Sequence, residues 1–157
     1  MVSLIFFKQE YLAEVSYTLD ENQSQFTATA EQSIQRIRER DDMNAFPIII
    51  LNDNRPVGFF VLDFGDDKLD LTDNENAVLL RSLSINPEMQ GSGIGKSAML
   101  QVDDFVRENF QYCDEIVLAV NQRNESAYHI YKKAGYTYNG KTRMGRSGPQ
   151  YLMFKKL

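Results

Sequence analysis

The segment Gln90-Gly91-Ser92-Gly93-Ile94-Gly95-Lys96-Ser97 gathers the residue types most able to do chemistry in this chain. Its glycines leave backbone N–H groups uncovered for a close approach, and an apolar-periodic stretch follows, so the pattern suits a phosphate held at a helix N-terminus. Gly95-Lys96-Ser97 suggests a nucleotide-binding P-loop, but that loop needs a glycine five positions before its Gly-Lys pair, where Gln90 stands. Gly93-Ile94-Gly95-Lys96-Ser97-Ala98 fits the dinucleotide pattern GxGxxA, yet the acid expected at the end of the next strand is missing, because Glu115 precedes its strand. What survives both tests is the physics: a strand feeds a glycine loop whose N–H groups and following helix attract a pyrophosphate. The lone His129 and lone Cys113 exclude the usual zinc ligand sets, and no metal is expected. By position alone Tyr131 reads as a core aromatic, His129 as a surface residue and Cys113 as a buried structural thiol.

The elements that must position this loop follow from periodicity. Ala77 to Ile85 reads as a strand stopped by Asn86-Pro87. Beyond the glycines, Ile94, Ala98, Met99, Val102, Phe105 and Val106 recur at helical spacing. Ile116 to Val120 reads as a buried strand, which completes a βαβ unit. Asn124 can cap a helix with Ala127, Ile130, Tyr131 and Ala134 on its apolar face, ended by Gly135. Upstream, Val2 to Phe7 is a strand and Gln9 to Leu19 a helix. Thr29 and Gln32 form a capping box for a further short helix, and Ile48 to Leu51 with Val57 to Leu62 make a hairpin around Asn52 to Pro56. Gly65 to Asn76 reads as an exposed acidic loop, and Tyr136 to Tyr138 and Tyr151 to Phe154 as closing strands. The order β-α-α-β-β-β-α-β-α-β-β predicts an α/β (α+β) fold with a mixed sheet.

At 157 residues with 43% hydrophobic positions the chain suits a single domain, residues 1–157, that buries a core without staples. One cysteine and no secretory apolar segment at the start point to a cytoplasmic protein. With 17 Lys and Arg against 22 Asp and Glu, the net charge of −5 disfavours nucleic acid and anionic membrane as partners. Asp66, Asp67, Asp70, Asp73 and Glu75 in one loop would favour a cationic amine.

Gln90-Gly91-Ser92-Gly93-Ile94-Gly95, preceded by Leu83-Ser84-Ile85-Asn86-Pro87, resembles the coenzyme A signature of the GNAT N-acetyltransferases. Asn124, Ala127, Tyr131 and Gly135-Tyr136 resemble the same family's second motif. The resemblance implies the GNAT fold, with a mostly antiparallel sheet flanked by helices, and acetyl-CoA as co-substrate. It implies direct transfer of acetyl to an amine in a ternary complex. The amine would be on a small molecule or on a protein or peptide, and a homodimer is compatible with it; the acidic loop and the net charge of −5 make a polyamine-like amine the first guess. It further implies that Leu83, Ser84 and Ile85 pair with the pantetheine arm, that a backbone N–H near Leu83 or Ser84 stabilises the oxyanion, and that Gln90, Gly91, Ser92, Gly93, Ile94, Gly95, Lys96 and Ser97 hold the pyrophosphate. Asn121, Asn124, Ala127, Tyr128 and Lys133 would complete the cofactor site, and Tyr131 would donate a proton to the departing thiolate. The strand Ala77 to Ile85 carries Arg81 and no acid, which leaves Glu31 and Glu21 as distant candidates for the base. A non-catalytic acyl-CoA sensor would carry the same motifs, and turnover separates the two.

Overall fold

The computed structural model describes all 157 residues. Seven strands form one sheet in the order β1-β2-β3-β4-β5-β7-β6, with β1 at Val2–Phe6, β2 at Ala45–Asn52, β3 at Arg55–Asp63, β4 at Ala77–Ile85, β5 at Glu115–Asn121, β6 at Thr137–Gly145 and β7 at Gly148–Lys156. Every neighbouring pair is antiparallel except β4 with β5. The helices are α1 (Leu12–Val15), α2 (Glu21–Phe26), α3 (Ala30–Arg40), α4 (Ile94–Asn109) and α5 (Glu125–Lys133).

Period-two alternation sends the two sets of strand side chains to opposite faces. Ile48, Ile50, Phe60 and Leu62 pack with Met99, Val102 and Tyr131 under α4 and α5. Their neighbours Ile49, Leu51, Phe59 and Val61 pack with Val15 and Ile34 under α1 and α3. Because both faces are covered, β2 and β3 read as continuous apolar runs. The hairpin between them turns on Asp53 and Asn54, both in the left-handed region at φ 50° and 65°, as the right-handed twist of a tight hairpin favours. Thr29 and Gln32 form the expected capping box at the start of α3, with bonds of 3.1 and 3.0 Å.

Four stretches differ from the sequence reading. The helix expected over Gln9 to Leu19 ends at Val15, where Ser16 bonds back to the Leu12 carbonyl at 2.5 Å and the Tyr17 hydroxyl reaches Ser84 at 2.8 Å. A short helix, α2, follows instead, capped by Asp20 accepting from the Gln23 N–H at 2.7 Å. The acidic loop holds a 3-10 turn at Asp66–Asp70, tied down by buried Lys68, which donates to the Phe64 and Glu75 carbonyls at 3.2 and 2.6 Å. The closing strands are longer than their apolar residues indicate, because β6 is a solvated sheet edge whose Asn139, Lys141 and Arg143 disguise it.

Two departures from regularity shape the site. The β4–β5 pairing covers Ala77 with Glu115, Val78 with Ile116 and Leu79 with Val117, and there it stops, so the two strands open into a V. In β4 the register against β3 shifts between the Phe59–Ser84 and Val61–Arg81 pairs, leaving an extra residue on β4, and Ser82 takes φ 62°. This is a β-bulge, which re-aims the strand beyond it.

Candidate active site

The open end of the V is a cleft of about 1080 Å³, and both sheet faces contribute to its walls. On the α4 and α5 side, Asn86 accepts from the Glu88 N–H at 3.1 Å and starts the turn Pro87–Met89. Gly91 and Gly93 then both take φ 83°, and a Cβ at either would meet nothing within 4 Å. These two positions therefore need glycine for its backbone conformation, and the space above them is open. Gly93 caps the 16-residue α4 without a side-chain bond, and the first capping-turn bond runs from the Ser97 N–H to the Gly93 carbonyl. The N–H groups of Ile94, Gly95 and Lys96 are thus the uncapped positive end of the helix, beside the cleft.

The gap-facing edge of β4 is occupied. The Asn86 N–H bonds to Val57 of β3, so the alternation turns Ile85's own N–H and carbonyl into the gap. There the Gln23 side-chain amide takes both, accepting from the Ile85 N–H at 3.1 Å and donating to its carbonyl at 3.0 Å. Gln90 adds a bond of 3.2 Å to the same carbonyl. On the far arm, the Gln25 carbonyl accepts from the Ser147 hydroxyl in the β6–β7 turn at 2.8 Å, and Arg123 stacks over Phe26. Helix α2 therefore bridges the two arms of the V.

Tyr131 reaches the cleft from α5, where Asn124 caps the helix by accepting from the Ala127 N–H at 3.4 Å. Its ring packs edge-on against Tyr136 at 5.8 Å, and its hydroxyl makes no hydrogen bond within the chain. Burial pushes the Tyr131 phenol well above the ordinary value of 10, so it carries its proton throughout the neutral range. Asn121 is engaged locally, accepting from the Arg123 N–H at 2.9 Å and donating to the Ser147 carbonyl at 3.0 Å.

Of the residues singled out in sequence, Leu83, Ser84, Ile85, Gln90, Gly91, Gly93, Ile94, Gly95, Lys96, Asn121, Asn124, Ala127 and Tyr131 line this cleft. Ser92, Ser97, Tyr128 and Lys133 do not. The Ser92 hydroxyl bonds to the Met89 carbonyl at 2.9 Å, and Tyr128 packs on Tyr151 at 5.2 Å. The two distant base candidates also fall outside: exposed Glu31 faces a separate groove with Gln35 and Arg38, and Glu21 lies on the exposed side of α2. Among the five acids of the 66–75 loop only Asp70 lines the cleft, and Asp67 pairs with Arg81 at 2.8 Å. Sequence reasoning missed Gln23, Arg36, Arg143 and Arg146, all on the wall; they stand outside any motif, and only the fold brings them together.

Residues 12–136 match the family model described as the acetyltransferase (GNAT) family. The chain is 38% identical over 154 residues to the uncharacterized N-acetyltransferase YbbJ of Bacillus subtilis (strain 168), covering 97% of this chain and 95% of that protein. The fold is shared with an aminoglycoside acetyltransferase solved with coenzyme A, at TM-score 0.78 and 18% identity over 99% of this chain and 95% of the other. It is also shared with the spermidine N-acetyltransferase of Vibrio cholerae solved with coenzyme A and spermine, at TM-score 0.71 and 15% identity over 99% and 95%. Motif, topology and relatives converge: the chain belongs to the GNAT acetyltransferase family and is an N-acetyltransferase.

Proposed function

We propose that the V-shaped cleft holds acetyl-CoA and a small-molecule amine together and passes the acetyl group directly between them. The observation that carries this reading is the juxtaposition, in one cleft, of the β4 edge at Ile85, which has no partner strand and is held only by glutamine side chains, with the uncapped N-terminus of α4. No cysteine or histidine lines the cleft, and Cys113 is buried elsewhere with its thiol pushed up by that burial, which disfavours a covalent acetyl-enzyme.

The N–H groups of Gly91 to Lys96 receive the pyrophosphate, with Lys96 adding its charge. Ile85 pairs with the pantetheine amide, which takes over the bonds that Gln23 makes in the free protein. Two residues back, beyond the bulge, Leu83 turns its N–H to the same side and is the donor for the developing oxyanion. Asn124 and Ala127 form the wall along the arm. Tyr131, neutral and without a competing partner, protonates the thiolate as the C–S bond breaks. The acceptor approaches from the other sheet face, between α2, Arg81 and the β6–β7 hairpin. A volume of about 1080 Å³ for cofactor arm and acceptor together suits a small molecule, as in the aminoglycoside and spermidine enzymes that share the fold.

The test is initial-rate kinetics of thiol release from acetyl-CoA with a panel of primary amines. Double-reciprocal lines that intersect support the ternary complex. Parallel lines, or acetyl label retained on the protein after gel filtration, would sink it.

A further inference from the structure

The acceptor side of the cleft carries a charge pattern opposite to that of the whole chain. The protein has a net charge of −5, yet the cleft is lined by Arg36, Arg81, Lys96, Arg143 and Arg146 against the single carboxylate of Asp70. Lys96 belongs to the glycine loop, and the four arginines lie elsewhere. Strand parity puts Arg81 on the face of Leu79, and Arg143 lies across from Gln150, on the face of Leu152; both faces are those turned away from α4 and α5. Arg36 comes from α3 on that same side.

The four arginines differ in how far they are neutralised. Arg81 lies 2.8 Å from Asp67 and 3.3 Å from Asp63, a buried carboxylate that Arg40 also holds, so its charge is largely compensated. Arg143 donates its Nε–H to the Gln150 side chain at 2.8 Å and stands 3.9 Å from Asp70, whose side chain is 74% exposed. That is a loose pair, open to a better partner. Arg36 and Arg146 are exposed and pair with no carboxylate. A polycation entering here meets like charge; a carboxylate or phosphate meets planar guanidinium groups that can grip it bidentately.

We infer that the acceptor is a small primary amine that also carries an anionic group, a carboxylate or a phosphate, which Arg143 and Arg146, with Arg36 behind them, hold while the amine points to the reacting centre. This rests on the small-molecule-amine reading above. It also answers where the amine's proton goes in a cleft without a well-placed carboxylate base. A positively charged wall disfavours the ammonium form, so the bound amine loses its proton to solvent more readily. The neutral nitrogen then forms the N–C bond to the acetyl carbon, the C–S bond breaks with its electron pair leaving on sulfur, Tyr131 protonates that thiolate, and the nitrogen's second proton passes to solvent while Tyr131 regains one from it. The product is an anion, with an uncharged amide nitrogen and its carboxylate or phosphate retained.

The experiment uses acceptors in matched pairs: an ω-amino acid and the alkylamine lacking its carboxylate, an aminosugar phosphate and the unphosphorylated aminosugar, with spermidine alongside. Thiol release is followed for the wild type and for the double variant Arg143→Gln/Arg146→Gln. The anionic member of at least one pair should exceed its partner by about 10-fold or more in kcat/KM, and the pair that responds tells carboxylate from phosphate. The double variant should reduce that ratio by about 10-fold while KM for acetyl-CoA stays within about twofold. Preference for spermidine or for the uncharged members overturns the inference alone. A rise in KM for acetyl-CoA in the double variant also overturns it, by assigning the arginines to the cofactor. If the protein binds acetyl-CoA by calorimetry but acetylates no small amine, the small-molecule reading falls as well.

Discussion

The two sides of the cleft are built by different means. On the α4 and α5 side the groups offered to a ligand are backbone N–H groups fixed by Gly91, Gly93 and the start of a long helix, and they are contiguous in sequence. On the α1 to α3 side the offered groups are side chains brought from far apart: Gln23 meets Ile85 across 62 positions, and Ser147 meets Gln25 across 122. The first side depends on backbone conformation, and so on glycine at 91 and 93. The second depends on side-chain identity and can be retuned residue by residue, which is where a family sharing one co-substrate would vary its acceptors.

The sharpest test sits where the two sides meet. Tyr131→Phe keeps the buried ring and its packing on Tyr136, so stability and acetyl-CoA affinity should hold while kcat falls by roughly 10²–10⁴, as for a lost general acid. A change in KM for acetyl-CoA with kcat kept would make the hydroxyl a cofactor contact instead. Because burial raises the phenol well above its ordinary value, no limb of the kcat profile between pH 6 and about 9 should belong to it.

The backbone character of the cofactor side predicts an asymmetry between glycine and glutamine. Gly93→Val forces a β-branched residue to φ 83°, a strain of about 1–3 kcal/mol, and acetyl-CoA should bind roughly 10- to 100-fold more weakly by calorimetry. Gln90→Ala removes only one of two amides on the Ile85 carbonyl and should change affinity by less than about threefold. Equal losses would erase the distinction between the two sides.

On the other side, Gln23→Ala should tighten acetyl-CoA binding by a few-fold, since the pantetheine amide no longer has to displace bonds worth about 0.5–1.5 kcal/mol each. Weaker binding would mean that α2 supports the cofactor site by its position rather than by competing for Ile85. The smallest effect is general. Burial pushes the Tyr17 phenol up to about 12 and raises Tyr131 and Tyr136 as well, while unfolded phenols titrate near 10. The folded state then holds protons that the unfolded state has released, so stability is complete below pH 10 and declines from about pH 10 towards 12, which thermal melts across that range would register.

This division also explains what the sequence made legible. Gly91, Gly93, Asn124, Ala127 and Tyr131 sit in short segments whose spacing encodes their geometry, and the structure places all five on the cleft. Helix α2 escaped because Glu-Asn-Gln-Ser-Gln-Phe is too short and too polar to show a period, and it holds its place through Asp20 and long-range bonds. Strand β6 escaped because an edge strand has no need of apolar alternation. The arginines of the acceptor wall are unremarkable in sequence, since nothing local distinguishes Arg143 or Arg146 from a solvated charge.

The capture of Ile85 by Gln23 has a further consequence, for the free protein in a crowded solution. Where β4 parts from β5, a strand edge with a bare N–H and carbonyl would be a template for any passing extended chain, and the hydrophobic run of β4 would make such pairing stick. One glutamine amide, with its donor and acceptor spaced like a peptide group, closes that template from within. The V can thus stand open to a small ligand while Gln23 holds the one stretch of edge that another extended chain would otherwise have to pair with.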